Sequence, residues 1–363
     1  MQETSIKSSK QKISKSLNEK PIYILGPCSA EDRDQVVNTA VDLARRFPNA
    51  IYRSGIWKPR TRPGNFEGIG EKGLKWLREA GDLSGLPVAT EVANAEHVEL
   101  ALSNDIDILW VGARTTVNPF YVQEIAEALK GVDIPVMIKN PLAPDFSLWL
   151  GAIERFEKIG IEHVIAIHRG FYNFDSKPYR NSPQWEIPIQ LMANRSDIPI
   201  ICDISHIGGS PELLPLLAQK AMDLNMSGLH VEVHPRPSEA LSDAMQQITI
   251  KELATLIDGI QWREPSTSDV DFKEGLQDLR NKIDQVDQQI LSDFFNRMQT
   301  IARIGSLKKQ NKVTILQVKR WKKIEAHYLK EGMALGLNKE FLQNILHLIH
   351  EESMRIQHEI MNE

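Results

Sequence analysis

Eight short apolar runs, each bounded by Pro, Gly or Asp, alternate with segments of helical spacing across residues 21–260 and predict a parallel (β/α)8 barrel. A second observation favours the barrel over an open doubly wound sheet, the alternative for such alternation. Reactive side chains follow the runs, where the C-terminal strand ends of a barrel would gather them. A third is the long proline-free pattern beyond residue 270, which predicts an all-α module of three helices at the C-terminus.

The runs are Ile22 to Leu25, Ala50 to Tyr52, Val88 to Thr90, Ile108 to Val111, Val136 to Ile138, Val164 to Ile167, Ile200 to Cys202 and Leu229 to Val233. Between them, Val36 to Phe47, Gly73 to Ala80, Tyr121 to Leu129, Leu148 to Ile159 and Leu213 to Leu224 repeat apolar residues at helical intervals. The first run leads to Cys28 in GPCSAE, the second to Arg53 and KPRT, and the third to Glu91. The fourth leads to Arg114, the fifth to Lys139, the sixth to Arg169, the seventh to His206 in DISH, and the eighth carries Glu232.

Composition narrows the class. With 363 residues and a net charge of -5, the chain has room for two domains and no overall basic surface for nucleic acid. No apolar run approaches the ~20 residues of a membrane span, and the first 20 residues lack a signal-peptide core, which predicts a cytoplasmic protein. Two cysteines, Cys28 and Cys202, exclude a disulfide scaffold. Cys202 reads as a core residue inside the seventh run, and His97, His163 and His168 as surface or packing residues.

The local basic feature is the stretch from Tyr52 to Gly68. Arg53, Lys58, Arg60 and Arg62 are interrupted by Pro59, Pro63 and Gly64, which forbid a helix and make a rigid cationic loop. Such a loop suits phosphate, because arginine offers a planar fork and lysine a point charge; a solvated basic loop is the plainer alternative. Arg53, Lys58, Arg60, Arg114, Lys139 and Arg169 together exceed what one monoanionic ligand requires, and suit two phosphates and a carboxylate. Cys28, His206, Glu232 and Asp243 offer a mixed soft and hard donor set that suits a divalent transition metal more than magnesium.

Residues 261–270 are polar and aperiodic and read as a linker between the barrel (21–260, after a polar arm at 1–20) and the helices (271–363). Leu276, Leu279, Ile283, Val286, Ile290, Phe294, Met298 and Ile301 recur at helical spacing, and helices from Gln317 to Leu335 and Lys339 to Met361 follow. A helix so long calls for a partner helix; a coiled-coil arm without chemistry is the alternative reading.

The ordered motifs GPCSAE, KPRT, VGAR, IKN, HRG, DISH and VEVHPRPSEALSD resemble 3-deoxy-D-arabino-heptulosonate 7-phosphate synthase of type I, nearest its type Iβ branch. The resemblance implies metal-dependent condensation of phosphoenolpyruvate with erythrose 4-phosphate. It implies Cys28, His206, Glu232 and Asp243 as metal ligands, with manganese expected first and iron, cobalt or zinc as alternatives. It places Arg53, Lys58, Arg114, Lys139 and Arg169 on phosphoenolpyruvate, and Arg60 and Thr61 on the sugar phosphate. The sister enzyme for arabinose 5-phosphate has KANRS in place of KPRT. Two departures from the pattern are Arg62, where serine is usual, and His168, where glutamate is frequent.

The helical region resembles the all-helical chorismate mutases: LRNKID, NRM, SLKK, VKRW and EESMRIQ supply Arg280, Arg297, Lys308, Arg320, Ser353 and Gln357. This implies chorismate as a third substrate, a homodimer in which Arg280 reaches the partner's site, and electrostatic catalysis by Lys308 and Gln357. Trp321 stands where a glutamate is common. The fusion predicts feedback inhibition of the barrel by prephenate or chorismate; a monofunctional synthase with a non-catalytic binding and dimerising module is the alternative.

Overall fold

The computed structural model describes residues 12–58, 64–264 and 266–362. The chain divides into two compact units between residues 265 and 266. In the first, eight described parallel strands close into a barrel in sequence order, β1 pairing with β8. In order they are β1 (Ile22–Gly26), α1 (Arg33–Arg46), β2 (Ile51–Arg53), α2 (Lys72–Ser84), β3 (Val88–Val92), α3 (Ala95–Ser103), β4 (Ile108–Val111) and α4 (Pro119–Ala128). There follow β5 (Val136–Lys139), α5 (Phe146–Lys158), β6 (Val164–His168), α6 (Glu186–Asn194), β7 (Ile200–Asp203), α7 (Leu214–Asp223), β8 (Gly228–Glu232) and α8 (Ile250–Asp258).

The strands are buried on both faces, so they read as apolar runs, yet the period of two still sorts their residues. Ile22, Ile24, Ile51, Ala89, Ile108, Trp110, Met137, Ile165, Ile167 and Ile201 fill the barrel interior. Their neighbours, such as Leu25, Tyr52, Leu109, Ile138 and Ala166, pack outward against the helices. Helix starts are fixed by side-chain acceptors: Asp32, Asn94, Asn118 and Asp145 cap α1, α3, α4 and α5, and Pro119 opens α4. The segment expected to be only a polar arm differs. Residues 12–18 are helical, and Ile13 and Leu17, one turn apart, pack against the barrel interior.

The second unit contains α9 (Val270–Gln310), α10 (Val318–Ala334) and α11 (Lys339–Asn362). Gly305 is buried where α9 packs against α11, and an added β-carbon there would meet Gln357 in ordinary contact at 3.4 Å. In the first half of α9, Leu279, Ile283 and Val286 stay exposed. No helix among the described residues is long and apolar enough to cross a membrane.

The seam between β1 and β8 depends on Gly228, where an added β-carbon would lie 1.9 Å from the Ile22 carbonyl oxygen. Gly228→Ala should therefore destabilise the barrel by about 1–3 kcal/mol, whereas Gly275→Ala, on α9 with open space around it, should not destabilise. Urea unfolding checks this, and an unchanged midpoint for Gly228→Ala would refute the tight seam.

Candidate functional site

The alternation that fills the barrel with isoleucine continues into charge at the strand C-termini. Arg53, Lys139, Asp203, His230 and Glu232 share the parity of interior residues on their strands and are all buried. Arg53 Nη1 donates to Glu232 Oε1 at 2.7 Å, and its guanidinium lies 4.7 Å from the centre of the Trp110 ring. Lys139 Nζ donates to Asp203 Oδ2 at 2.8 Å.

Asp203 joins the most groups. Its Oδ1 accepts the His206 backbone N–H at 3.1 Å and so caps the single turn Ile204–Gly208 that follows β7. Its carboxylate also lies 2.9 Å from His206 Nδ1 and 3.2 Å from His230 Nδ1. Burial would raise its pKa, but His206, His230 and Lys139 outweigh burial and hold it well below the usual carboxylate range. An ionised Asp203 favours a proton on His206 Nδ1, which leaves the Nε2 lone pair directed 3.8 Å from Glu232 Oε1.

Cys28, Glu232 and Asp243 each bring one donor atom into a cluster whose members lie within 4.8 Å of one another. Cys28 Sγ stands 3.4 Å from Asp243 Oδ2. Burial first, then Glu232, pushes the Cys28 thiol up to about 12, so crowded anions confront a buried sulfur. Asp243 sits at φ 49, a left-handed conformation that a non-glycine residue adopts at a cost of roughly 1–2 kcal/mol. Its loop is tied back: Gln247 Oε1 accepts the Cys28 N–H at 3.0 Å, and Gln246 Nε2 donates to Glu232 Oε2 at 2.5 Å. A divalent cation fits this donor set, which joins a thiol, carboxylates and an imidazole on a rigid frame.

Cations line the same mouth. Lys58 Nζ is 3.1 Å from Cys28 Sγ. Arg169 is buried and donates to Asn181 Oδ1 at 2.6 Å, while Asn181 Nδ2 donates to the His206 carbonyl at 2.6 Å. Burial lowers the Arg169 pKa to about 10, and the fields of Arg180 and Arg114 also act to lower it. Arg180 Nη2 in turn pairs with Asp243 Oδ1 at 3.1 Å. Arg60 and Thr61, with Arg62, lie outside the described residues.

In the helical unit, Arg297 Nη1 on α9 donates to Ser353 Oγ on α11 at 2.7 Å. Lys308 Nζ donates to Gln357 Oε1 at 2.8 Å and to the Ile315 carbonyl at 2.5 Å. Burial lowers the pKa of both cations. Arg280 and Arg320 are exposed, and the fold does not bring them into these hydrogen bonds.

The profile of the DAHP synthetase I family matches residues 3–267. The chain belongs to that family. A second profile, chorismate mutase type II, matches residues 279–358, so the two matched domains are those of a transferase and an isomerase. A Thermotoga maritima phospho-2-dehydro-3-deoxyheptonate aldolase is 33% identical over 234 residues, 64% of this chain and 67% of its own. An Acidithiobacillus ferrooxidans 2-dehydro-3-deoxyphosphooctonate aldolase is 29% identical over 276 residues, 70% of this chain and 93% of its own. The crystal structure of a T. maritima phospho-2-dehydro-3-deoxyheptonate aldolase (DAHP synthase) aligns with TM-score 0.58 and 31% identity, covering 65% of this chain and 66% of that one. The chain thus spans about two thirds of the length of these T. maritima relatives.

Within this DAHP synthetase I barrel, the reading of the sequence omitted Asp203, His230, Arg180 and Gln246. Two of them carried a signal. Asp203 stands three residues before His206 at a helix cap, and His230 stands two before Glu232 on one strand face. Arg180 and Gln246 come from long loops without periodicity and had none. His168 packs outward against Phe171 and Trp185, and burial first, then Arg169, lowers its pKa to about 3. It is therefore held neutral in the packing between β6 and the adjoining segment.

Asp203 needs its buried cation. Lys139→Met should cost about 3–5 kcal/mol, the usual loss when one partner of a buried pair is removed. Calorimetric unfolding measures it; a loss below 1 kcal/mol would mean that the two imidazoles compensate Asp203 unaided.

Proposed function

We propose that the barrel condenses phosphoenolpyruvate with erythrose 4-phosphate to 3-deoxy-D-arabino-heptulosonate 7-phosphate and phosphate, and that the helical unit rearranges chorismate to prephenate. The observation that carries the first half is the cross-linking of two clusters at one barrel mouth: Arg53 touches Glu232 and Lys58 touches Cys28. Groups suited to anions thereby stand beside groups suited to a divalent cation. Cys28, His206, Glu232 and Asp243 would hold the metal, manganese first among the transition ions. When bound, it supplies a Lewis acid for the aldehyde oxygen.

The protein's own contribution is placement. Arg169, Arg114 and Lys139 hold the carboxylate and phosphate of phosphoenolpyruvate, with Arg53 and Lys58 on the side of the cation donors, while Arg60 and Thr61 serve the sugar phosphate. The methylene carbon then bonds to the aldehyde carbon, water adds at C2, and phosphate leaves. Chelation should abolish synthase activity and manganese should restore it, with erythrose 4-phosphate turned over at least tenfold better than arabinose 5-phosphate. His206→Ala, which removes one ligand, should weaken manganese binding in calorimetry. Full activity in chelator, or equal use of both sugars, would overturn the reading.

For the helices, Arg297 and Arg320, with Arg280 of a second copy, would grip the two carboxylates. Lys308 and Gln357 would stabilise the ether oxygen as its bond breaks, so neither a nucleophile nor a metal is required. The exposed stripe of Leu279, Ile283 and Val286 supports a homodimer, which sedimentation would reveal as twice the chain mass. Prephenate bound there would inhibit the barrel through a coupling of about 1–3 kcal/mol. Arg297→Ala should abolish both mutase turnover and prephenate inhibition of the synthase. Undiminished inhibition in that variant would place the sensor elsewhere.

A further inference from the structure

Leu346, His350, Ser353 and Gln357 follow at intervals of four, three and four on α11 and so form one stripe. The polar members nearest Arg297 and Lys308 are already engaged. Ser353 Oγ accepts from Arg297 and donates to the Ile349 carbonyl at 2.6 Å. Gln357 Oε1 accepts from Lys308, and its Nε2 donates to the Ser353 carbonyl at 3.0 Å. His350, one turn before Ser353, is held in another way: Trp321 of α10 stacks on it with ring centres 3.8 Å apart and planes at 24°.

A stacked imidazole keeps both nitrogens at its edge, in the ring plane. Neither nitrogen of His350 has a hydrogen bond among the described residues. Uncharged Trp321 from α10 lies against it, and the charged groups whose fields reach it are Arg297 from α9 and His347 and Glu351 on its own helix. Tyr328 of α10 faces Arg297. Burial first, then His347 and Arg297, lowers the His350 pKa against the opposing field of Glu351. The ring is therefore neutral at pH 7 and presents one lone pair.

We propose that His350, held flat by Trp321, is the hydrogen-bond acceptor of the helical site and selects a cyclic dicarboxylate that carries a hydroxyl group. This rests on the reading of the helical unit as the chorismate and prephenate site. Arginine and lysine only donate, so Arg297 and Lys308 serve carboxylate and ether oxygens and leave a hydroxyl proton without a partner. Ser353 Oγ and Gln357 Oε1 each already accept a hydrogen bond from one of those cations, which ties them to the carboxylate and ether side of the site. His350 is a specificity residue that meets the ligand, and Trp321 is a positioning residue that acts through it.

The test uses the full chain and two probes in calorimetry: prephenate, and the same ring dicarboxylate with hydrogen in place of the hydroxyl. His350→Leu should bind prephenate about tenfold to a hundredfold more weakly and bind the deoxy compound as before. His350→Gln, which restores an acceptor, should recover most of the prephenate affinity. The unaltered chain should lose prephenate affinity as pH falls through the depressed His350 pKa, below its ordinary value near 6.5, because protonation removes the acceptor; His350→Gln should not show that loss. Equal losses for both probes in His350→Leu, unchanged prephenate affinity, or an identical acid limb in His350→Gln would overturn the proposal. Failure of the unaltered chain to bind either probe would instead overturn the reading of the helical unit. The pH comparison decides the matter even where His350→Leu folds poorly.

Discussion

The carboxylate of Asp203 is the constraint on which the barrel mouth depends. It is fully buried at the end of β7, where a lone anion would be expelled or protonated, and it persists because Lys139, His206 and His230 meet it from three directions. Each of those contacts fixes a different part of the site. Lys139 is drawn inward from β5, the His206 ring is oriented so that Nε2 faces Glu232, and His230 closes the adjacent strand. Removing the carboxylate would free a lysine and two imidazoles at once, beside the Arg53–Glu232 pair and above the isoleucine layer.

Buried ion pairs of this kind contribute little net stability, since desolvation cancels most of the Coulombic gain. Their effect here is on geometry. Arg53 pairs with Glu232 and leans over Trp110, so two ionised groups stand in fixed places before any substrate arrives. Preorganisation of that kind lowers the reorganisation that binding a polyanion would otherwise demand. The stability to hold this arrangement comes from the apolar layers below and outside it, where the strands bury both faces.

The same division explains what could be read in advance. All eight strands and the three long helices were legible because burial on both faces, or on one helical stripe, leaves a periodic record in composition. Cys28, His206, Glu232 and Asp243 were legible as residue types; the structure brings donor atoms of Cys28, Glu232 and Asp243 within 4.8 Å of one another, and His206 joins Asp203 and His230 in a neighbouring group. Asp203 and His230 carried only a spacing signal, three residues before His206 and two before Glu232, and their weight shows only once their partners across the barrel are known. Arg180 and Gln246 arrive on loops whose course depends on tertiary contacts, such as the Arg180 N–H to the Ile207 carbonyl at 3.0 Å, and no spacing rule encodes them. The N-terminal helix was hidden for a different reason: among the described residues its apolar contacts with the barrel are Ile13 and Leu17, too few to outweigh the serines and lysines around them.

The two units show two ways of stabilising charge that develops in a reaction. The barrel concentrates opposite charges on buried side chains at the strand ends, paired before any ligand is bound. In the helical unit Arg297 and Lys308 are only partly buried and are steered by neutral partners, Ser353 for the first and Gln357 with the Ile315 carbonyl for the second. Neutral partners leave a cation's charge almost intact for a ligand, whereas a carboxylate would cancel it. Hydroxyl, amide and imidazole neighbours thus leave the positive field of Arg297 and Lys308 stronger than acidic neighbours would. On that argument the aromatic Trp321 is no loss to the electrostatics of the helices: it supplies a flat wall and leaves the positive field undiminished.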